Sequence, residues 1–99
     1  MYVSGCLGIN KETKALVPGG VGAETRQVLT NMKNILEEAG SSMSKALKCT
    51  IFLADMGSFA EVNAVYGEFF PSEPPARACF AVLALPIGAL VEIDCIALA

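Results

Sequence analysis

The segment from Pro74 to Pro86 contains a single charged side chain, that of Arg77. Two consecutive prolines precede it, and the residues that follow, 78–84, have the apolar character of a β-strand. A guanidinium group at the start of an apolar strand is costly to bury unless an anion pairs with it. Its planar array of N–H donors suits a carboxylate or a phosphate. The pattern therefore indicates either an ion pair that fixes the strand end or a site for an anionic ligand.

The rest of the chain alternates between strand and helix patterns. Apolar residues recur at helical spacing over 22–39 and 58–70, and these segments end at Gly40 and before Pro71. Strand patterns cover five segments, with a hairpin predicted over 2–17: 1–8, 15–17, 45–54, 78–84 and 89–98. The order β-β-α-β-α-β-β predicts an α+β fold, with one sheet and both helices packed on one of its faces.

The chain is predicted to form one domain, spanning residues 1–99. Its composition predicts that this domain self-associates. Hydrophobic residues make up 54% of the chain and charged residues only 17%. No apolar run reaches the roughly 18 residues that a membrane-spanning helix needs. The excess apolar surface therefore favours a subunit interface, since obligate interfaces resemble a protein core.

Charge and residue types exclude several kinds of site. The net charge is −3 and the chain has no histidine and no basic run, which argues against nucleic-acid binding and against a Ser/His/Asp triad. The four cysteines lack CxxC spacing and fall in predicted strands, as expected of buried thiols in a reducing compartment: Cys6, Cys49, Cys79 and Cys95. A chain that begins directly with strand-like sequence indicates no signal peptide and a cytoplasmic location.

Glu92 is the second unusual charge, because the strand around it is nearly all apolar. It is either solvated on one face or paired in a cavity. If the last two strands formed a hairpin with Leu83 opposite Leu90, Arg77 and Glu92 would be offset by on the order of 13 Å along the strands. That register predicts no direct pairing between them. If these strands are not neighbours, the estimate does not apply, and the two charges face a shared cavity from separate places or across a subunit boundary.

Several ordered motifs resemble those of the Rid (reactive-intermediate deaminase, YjgF or L-PSP) family. The Y-[IV]-S-G strand is similar to Tyr2–Gly5, the two helices to 31–40 and 59–70, and the P-x-R-[AS] signature to Pro75–Ala78. The ending of the family resembles Leu85-Pro86 followed by Val91–Ala97. The resemblance covers nearly the whole chain, although the family's usual N-terminal segment, with its G-P-Y-S loop, has no counterpart before Met1.

The resemblance implies a chorismate-mutase-like α+β fold with a single mixed sheet, assembled as a homotrimer with active sites between subunits. The implied activity is hydrolysis of 2-enamine and 2-imine intermediates, such as 2-aminoacrylate and 2-iminopropanoate, to 2-keto acids and ammonia. It implies no cofactor and no metal, and a cytoplasmic or mitochondrial location. Without the N-terminal segment, a sheet edge is expected to be exposed and the cleft to be less closed.

The family's site residues correspond to four positions of this chain. The resemblance implies that Arg77 binds the substrate carboxylate and that Glu92 orients or activates water. Gly5 and Cys79 would contribute main-chain contacts to the substrate, with no nucleophilic role for the thiol of Cys79. Two alternatives stay open: a non-catalytic protein that binds small carboxylates, and the ribonuclease or translation-inhibitor role ascribed to some relatives.

Overall fold

The computed structural model describes residues 1–99, which form six longer elements, a small hairpin and three short 3-10 turns. The strands and helices run in this order: β1 (Tyr2–Cys6), β2 (Ile9–Asn10), β3 (Ala15–Leu16), α1 (Val21–Glu38), β4 (Ala46–Leu53), α2 (Phe59–Phe69), β5 (Ala76–Ala81) and β6 (Val91–Ala97). The 3-10 turns lie at Met43–Lys45, Met56–Ser58 and Pro86–Gly88. No helix is long and apolar enough to cross a membrane.

The main sheet has four strands in the order β1-β6-β4-β5. β4 pairs with β6 in antiparallel and with β5 in parallel orientation, so the sheet is mixed. β4 and β5 are joined through α2, since parallel neighbours need a crossover connection. The predicted α+β fold with two helices on one sheet is confirmed, and β1 and β5 form the two edges.

Two strand partners differ from the sequence-based expectation. The predicted hairpin over 2–17 is wrong, because β1 pairs with β6, and the hairpin consists only of the short strands β2 and β3. The last two strands are not a hairpin either, because β4 lies between β5 and β6. The offset estimated for Arg77 and Glu92 therefore does not apply, and their placement has to be taken from β4.

Both helices pack on the same face of the sheet because each presents one apolar stripe to it. α1 ends at Gly40, whose φ of +86° gives the left-handed conformation that closes many helices. The core is a cluster of buried side chains from α1, α2 and the inward positions of the strands, and its fully buried members include Leu29, Met32, Leu36, Cys49, Ile51, Leu53, Val91 and Ile93. Leu47, two residues before the buried Cys49, is 49% exposed, because a bulge between Ala46 and Lys48 shifts the strand register.

The opposite face of the sheet is covered by no element of the chain. Phe52 and Phe80 lie side by side there, with ring centroids 5.2 Å apart in an edge-to-face arrangement. Phe80 is 45% exposed, and Leu83 and Ile87 in the segment after β5 are more exposed still. The chain therefore leaves apolar surface in contact with water, as its composition predicts.

Candidate active site

Arg77 lies near the start of β5, level with Cys49 of β4, and its side chain is on the helix face of the sheet. Its Nη1 donates a hydrogen bond to the side-chain oxygen of Asn63 in α2. The guanidinium carbon lies 5.0 Å from the ring centroid of Tyr66 and 5.4 Å from that of Phe59. Such placement over aromatic rings attracts a cation. Side chains on successive turns of α2 therefore hold the guanidinium in a defined position; they are Phe59, Asn63 and Tyr66.

The guanidinium of Arg77 has no carboxylate partner within the chain. The only ion pair is that between Arg26 and Glu68, on the outer surface of the two helices. Arg77 is exposed, and its hydrogen bond to Asn63 leaves the remaining N–H groups of its fork without a partner. The interpretation of Arg77 as a strand-fixing ion pair is therefore wrong for this chain, and a free fork of donors remains beside α2.

A groove of about 480 Å³ opens beside Arg77. One wall is formed by α2 and the residue after it, and the other by the two prolines that precede the strand; its lining is Asn63, Tyr66, Gly67, Phe70, Pro74, Pro75 and Arg77. The fixed φ of proline keeps the second wall extended. An anion in this groove would meet one cation and a largely apolar lining.

Glu92 lies on β6, level with Phe52 of β4, and its half-buried side chain is on the face that no helix covers. Its carboxylate lies directly over Gly5 of β1. A Cβ atom at Gly5 would collide with the Glu92 carboxylate, so glycine at this position lets the carboxylate lie directly against β1. The charges of Glu92 and Asp94 also contribute, after burial, to raising the pKa of the Cys6 thiol.

Arg77 and Glu92 are on opposite faces of one sheet. Arg77 is level with Cys49 and Glu92 with Phe52, and these two β4 residues are three positions apart, so their side chains alternate to different faces. The two Cα atoms are separated by two strand spacings and three residues, roughly 10 Å in each direction. The structure therefore brings Gly5 together with Glu92, and Arg77 together with Cys79, but does not bring the two pairs together.

Cys79 lies two residues after Arg77 on β5 and is level with Ile51 of β4. Its side chain is half-buried. Burial raises the pKa of the Cys79 thiol, and the opposing effect of the Arg77 charge is smaller. The thiol is therefore neutral at pH 7, which leaves its main-chain atoms, on the edge strand, as the groups able to contact a ligand.

Three residues that touch Arg77 were not predicted as part of a site. In the sequence, Phe59 and Tyr66 belong to the apolar stripe of the helix pattern over 58–70, and Asn63 lies between them. Only the stripe was visible in the sequence, because the contact with Arg77 depends on the crossover that places α2 over β5. A signal was available, since Asn63 and Tyr66 are three residues apart and Tyr66 carries a hydroxyl in an otherwise apolar stripe.

The Tyr66 hydroxyl is buried and has no hydrogen-bond partner. Burial raises the pKa of Tyr66, and the neighbouring Cys49 thiol raises it further. Together these two effects outweigh the Arg77 charge, which lowers this pKa. Cys49 and Cys95 face each other directly across β4 and β6 beneath this hydroxyl. No three His, Cys, Asp or Glu side chains converge in an arrangement that could hold a metal ion.

A larger groove, of about 740 Å³, runs along the outer edge of β1 and the adjacent side of α1. Its lining includes Gly5 but neither Arg77 nor Glu92. By volume alone this groove would be the first candidate for a ligand site, but it lacks a free cation held in position by other side chains. The chemistry of the chain therefore points to the smaller groove beside Arg77 and to the carboxylate of Glu92 on the other face.

Comparison with known proteins places this geometry in context. The sequence model of the family described as Endoribonuclease L-PSP matches residues 1–99. The RutC family protein UK114 of Drosophila melanogaster is 49% identical over 98 residues, covering 99% of this chain and 71% of that protein. The 2-iminobutanoate/2-iminopropanoate deaminase of Bos taurus is 47% identical over 97 residues, covering 98% of this chain and 71% of that protein.

Solved structures agree with these relatives. The crystal structure of RidA from the Antarctic bacterium Psychrobacter sp. superposes with a TM-score of 0.95 at 40% identity, covering 99% of this chain and 79% of that one. The crystal structure of yeast Mmf1 has a TM-score of 0.93 at 41% identity, covering 97% and 76%. The sequence and the fold therefore agree that this chain belongs to the Rid (YjgF/L-PSP) family.

Proposed function

We propose that this protein hydrolyses reactive 2-imino acids and their enamine tautomers, such as 2-aminoacrylate, to 2-keto acids and ammonia. The observation that carries the proposal is the guanidinium of Arg77, which α2 holds in position while most of its donors stay free. A carboxylate is the anion that matches such a fork, and every substrate of this class has one. Curated relatives named as 2-iminobutanoate/2-iminopropanoate deaminases support this choice.

In this proposal Arg77 binds the substrate carboxylate and the main chain at Cys79 adds a further contact. Fixing the carboxylate also fixes the adjacent imine carbon, so much of the rate gain comes from positioning. The rings of Phe59 and Tyr66, which lie against the guanidinium, restrict it before substrate arrives. The cost of ordering a long side chain on binding is therefore small.

Glu92 then acts on water. Its carboxylate accepts a proton from the water that attacks the imine carbon, and the new C–O bond forms as the C=N π electrons move to nitrogen. That proton passes to the nitrogen and gives a carbinolamine. The proton of the new hydroxyl group then moves to the nitrogen, the C–N bond breaks, and ammonia leaves as the carbonyl forms. The reaction consumes one water per imine and involves no change in oxidation state. Gly5 leaves the space that the Glu92 carboxylate occupies.

One substrate can meet both side chains only if two copies of the chain form the site. Arg77 and Glu92 are on opposite faces of the sheet, so the Arg77 side of one copy must face the Glu92 side of another. The uncovered apolar face supplies surface for such an interface. A ring of three copies, the homotrimer implied by the family resemblance, satisfies this arrangement with three equivalent sites.

The test is release of pyruvate and ammonia from 2-aminoacrylate generated enzymatically in the assay. The protein is expected to accelerate release over the spontaneous reaction, and Arg77→Ala is expected to lower the rate by about 100-fold or more, since positioning is lost. Arg26→Ala, which removes an exposed arginine from the outer surface, serves as the matched control and should keep the rate. No acceleration by the intact protein would overturn the proposal.

The same experiment separates the alternatives. A binding protein without turnover would be stabilised against heat by 2-oxobutanoate and would release no ammonia. The family description as an endoribonuclease makes RNA cleavage a second candidate. The acidic net charge and the lack of histidine weigh against it, and RNA cleavage that is abolished by Arg77→Ala would favour it.

Four cysteines without a disulfide fit a reducing compartment. We propose a cytoplasmic or organellar location on this basis, since one relative is described as mitochondrial and another as chloroplastic. Detection of a fluorescent fusion of the full-length protein in the secretory pathway would contradict this location.

A further inference from the structure

The wall of α2 that faces Arg77 has one position without a side chain. Asn63, Tyr66 and Gly67 are spaced as neighbours on one helix face, and Phe70 continues that face just beyond the end of the helix. Asn63 and Tyr66 contact the guanidinium, and Phe70 packs against the Tyr66 ring with centroids 4.7 Å apart. Gly67 contributes only backbone to this wall of the groove.

Neither backbone conformation nor close packing requires a glycine at position 67. The residue lies within α2 and has no positive φ, so any L-residue can adopt its conformation. A Cβ atom placed there meets no heavy atom within 4 Å. A Cβ atom at Gly5, in contrast, would displace the Glu92 carboxylate above it. Glycine inside a helix lowers stability relative to alanine. Gly67 therefore carries a cost in stability that the fold does not explain.

We propose that Gly67 determines substrate size, by keeping the groove beside Arg77 open for the side chain of the bound acid. The inference rests on the proposed function and deepens it. With its carboxylate on Arg77, an acid directs its side chain between Gly67 and the prolines, along a lining that is aromatic and aliphatic. The preferred substrates are therefore 2-imino acids with apolar side chains larger than methyl, and the corresponding 2-oxo acids are the products.

The size of the expected effect follows from apolar burial. Each CH₂ group moved from water into the groove adds about fourfold to affinity, so a phenyl or isobutyl side chain gains at least about tenfold over methyl. A leucine side chain at position 67 would occupy the same space. It would reduce binding of the larger acids and leave the carboxylate contact with Arg77 in place.

The test compares pyruvate with 2-oxo-3-phenylpropanoate by isothermal titration calorimetry on the full-length protein. Wild type is expected to bind the phenyl acid about tenfold tighter, and Gly67→Leu is expected to weaken the phenyl acid about tenfold but pyruvate less than about threefold. Ala64→Leu adds a similar side chain to an exposed position of α2 outside the groove and should change neither affinity.

Gly67→Ala keeps the test independent of folding problems in the leucine variant. It is expected to raise the melting temperature, because alanine favours the helix, and to weaken the phenyl acid more than pyruvate. The inference is overturned if wild type binds both acids equally, or if Gly67→Leu weakens both by the same factor.

Failure of the inference can be told apart from failure of the proposed function. Turnover of 2-aminoacrylate, a substrate with a small side chain, is measured on the same variants. Selective binding of the larger acid without turnover would contradict the deaminase activity but not the role of Gly67. Turnover that persists while Gly67→Leu shows no selectivity would count against the size-determining role of Gly67 alone.

Discussion

Arg77 and Arg26 occupy different surroundings although both side chains are exposed. Arg26 makes two parallel hydrogen bonds to the carboxylate of Glu68, at 3.0 and 3.1 Å. Arg77 is instead held by an amide oxygen and two rings, none of which is charged. A positioned cation without an anion is unusual for a side chain with a purely structural role, and it motivates the assignment of a ligand carboxylate to Arg77.

The planar fork of Arg77, and not its charge alone, is expected to determine carboxylate binding. Arg77→Lys keeps the positive charge but loses the two-point contact and the stacking on Tyr66. Titration calorimetry with 2-oxobutanoate is expected to show affinity lower by about tenfold or more. Arg26→Lys is the matched control and should keep the affinity, whereas unchanged affinity in Arg77→Lys would show that charge alone binds the carboxylate.

Gly5 is expected to act through Glu92. Gly5→Ala places a methyl group where the Glu92 carboxylate lies, so the carboxylate must move and kcat should fall by about 10- to 100-fold. Because Arg77 is on the other face, KM should change little. The double variant with Glu92→Gln checks the cause: it should be no slower than Glu92→Gln alone, whereas additive losses would mean that Gly5 acts independently.

At the level of elements, sequence patterns predicted the strands and helices better than their partners. Both helices begin and end within one residue of the expected positions, because their apolar stripes and terminal Gly40 and Pro71 are local signals. Strand pairing depends on tertiary contacts, and an apolar segment such as 1–8 carries no mark that distinguishes a hairpin with 15–17 from a place beside β6. The same limit hid Asn63, whose role depends on the crossover of α2 above β5.

The contact between α2 and the sheet contains a buried polar group that contributes nothing through hydrogen bonding. The Tyr66 hydroxyl has no partner, and it lies above Cys49 and Cys95. Tyr66→Phe is therefore expected to leave the free energy of unfolding at pH 7 unchanged or to raise it by up to about 1 kcal/mol. Chemical denaturation measures this, and a loss above about 2 kcal/mol would mean that the hydroxyl does have a partner.

The same substitution should change the alkaline limit of stability. The pKa of Tyr66 is raised in the folded state, so its contribution is fully present below the unfolded-state pKa near 10 and is lost as pH rises from there through the folded-state pKa. Tyr66→Phe should therefore lose stability less steeply above about pH 10. Tyr2→Phe, at a side chain that is 84% exposed, is the control and should follow wild type.

At the level of the whole molecule, the two charges and the apolar surface lead to the same conclusion. The sheet keeps Arg77 and Glu92 on different faces, and the face of Glu92 also carries the exposed Phe80 and the half-buried Phe52. The high apolar content predicted self-association, and the separation of the two charges adds a reason for it that composition could not supply. In this account a second copy completes the site as well as covering the apolar face.

Complementation between two inactive variants tests this central claim most directly. Arg77→Ala and Glu92→Gln are co-expressed with different tags, and the mixed oligomers are purified and assayed with 2-aminoacrylate. If each site takes Arg77 from one copy and Glu92 from the next, every mixed trimer has both residues in one of its three sites, and activity should return to about one third of wild type. Mixed oligomers that stay as inactive as either variant alone would contradict a shared site.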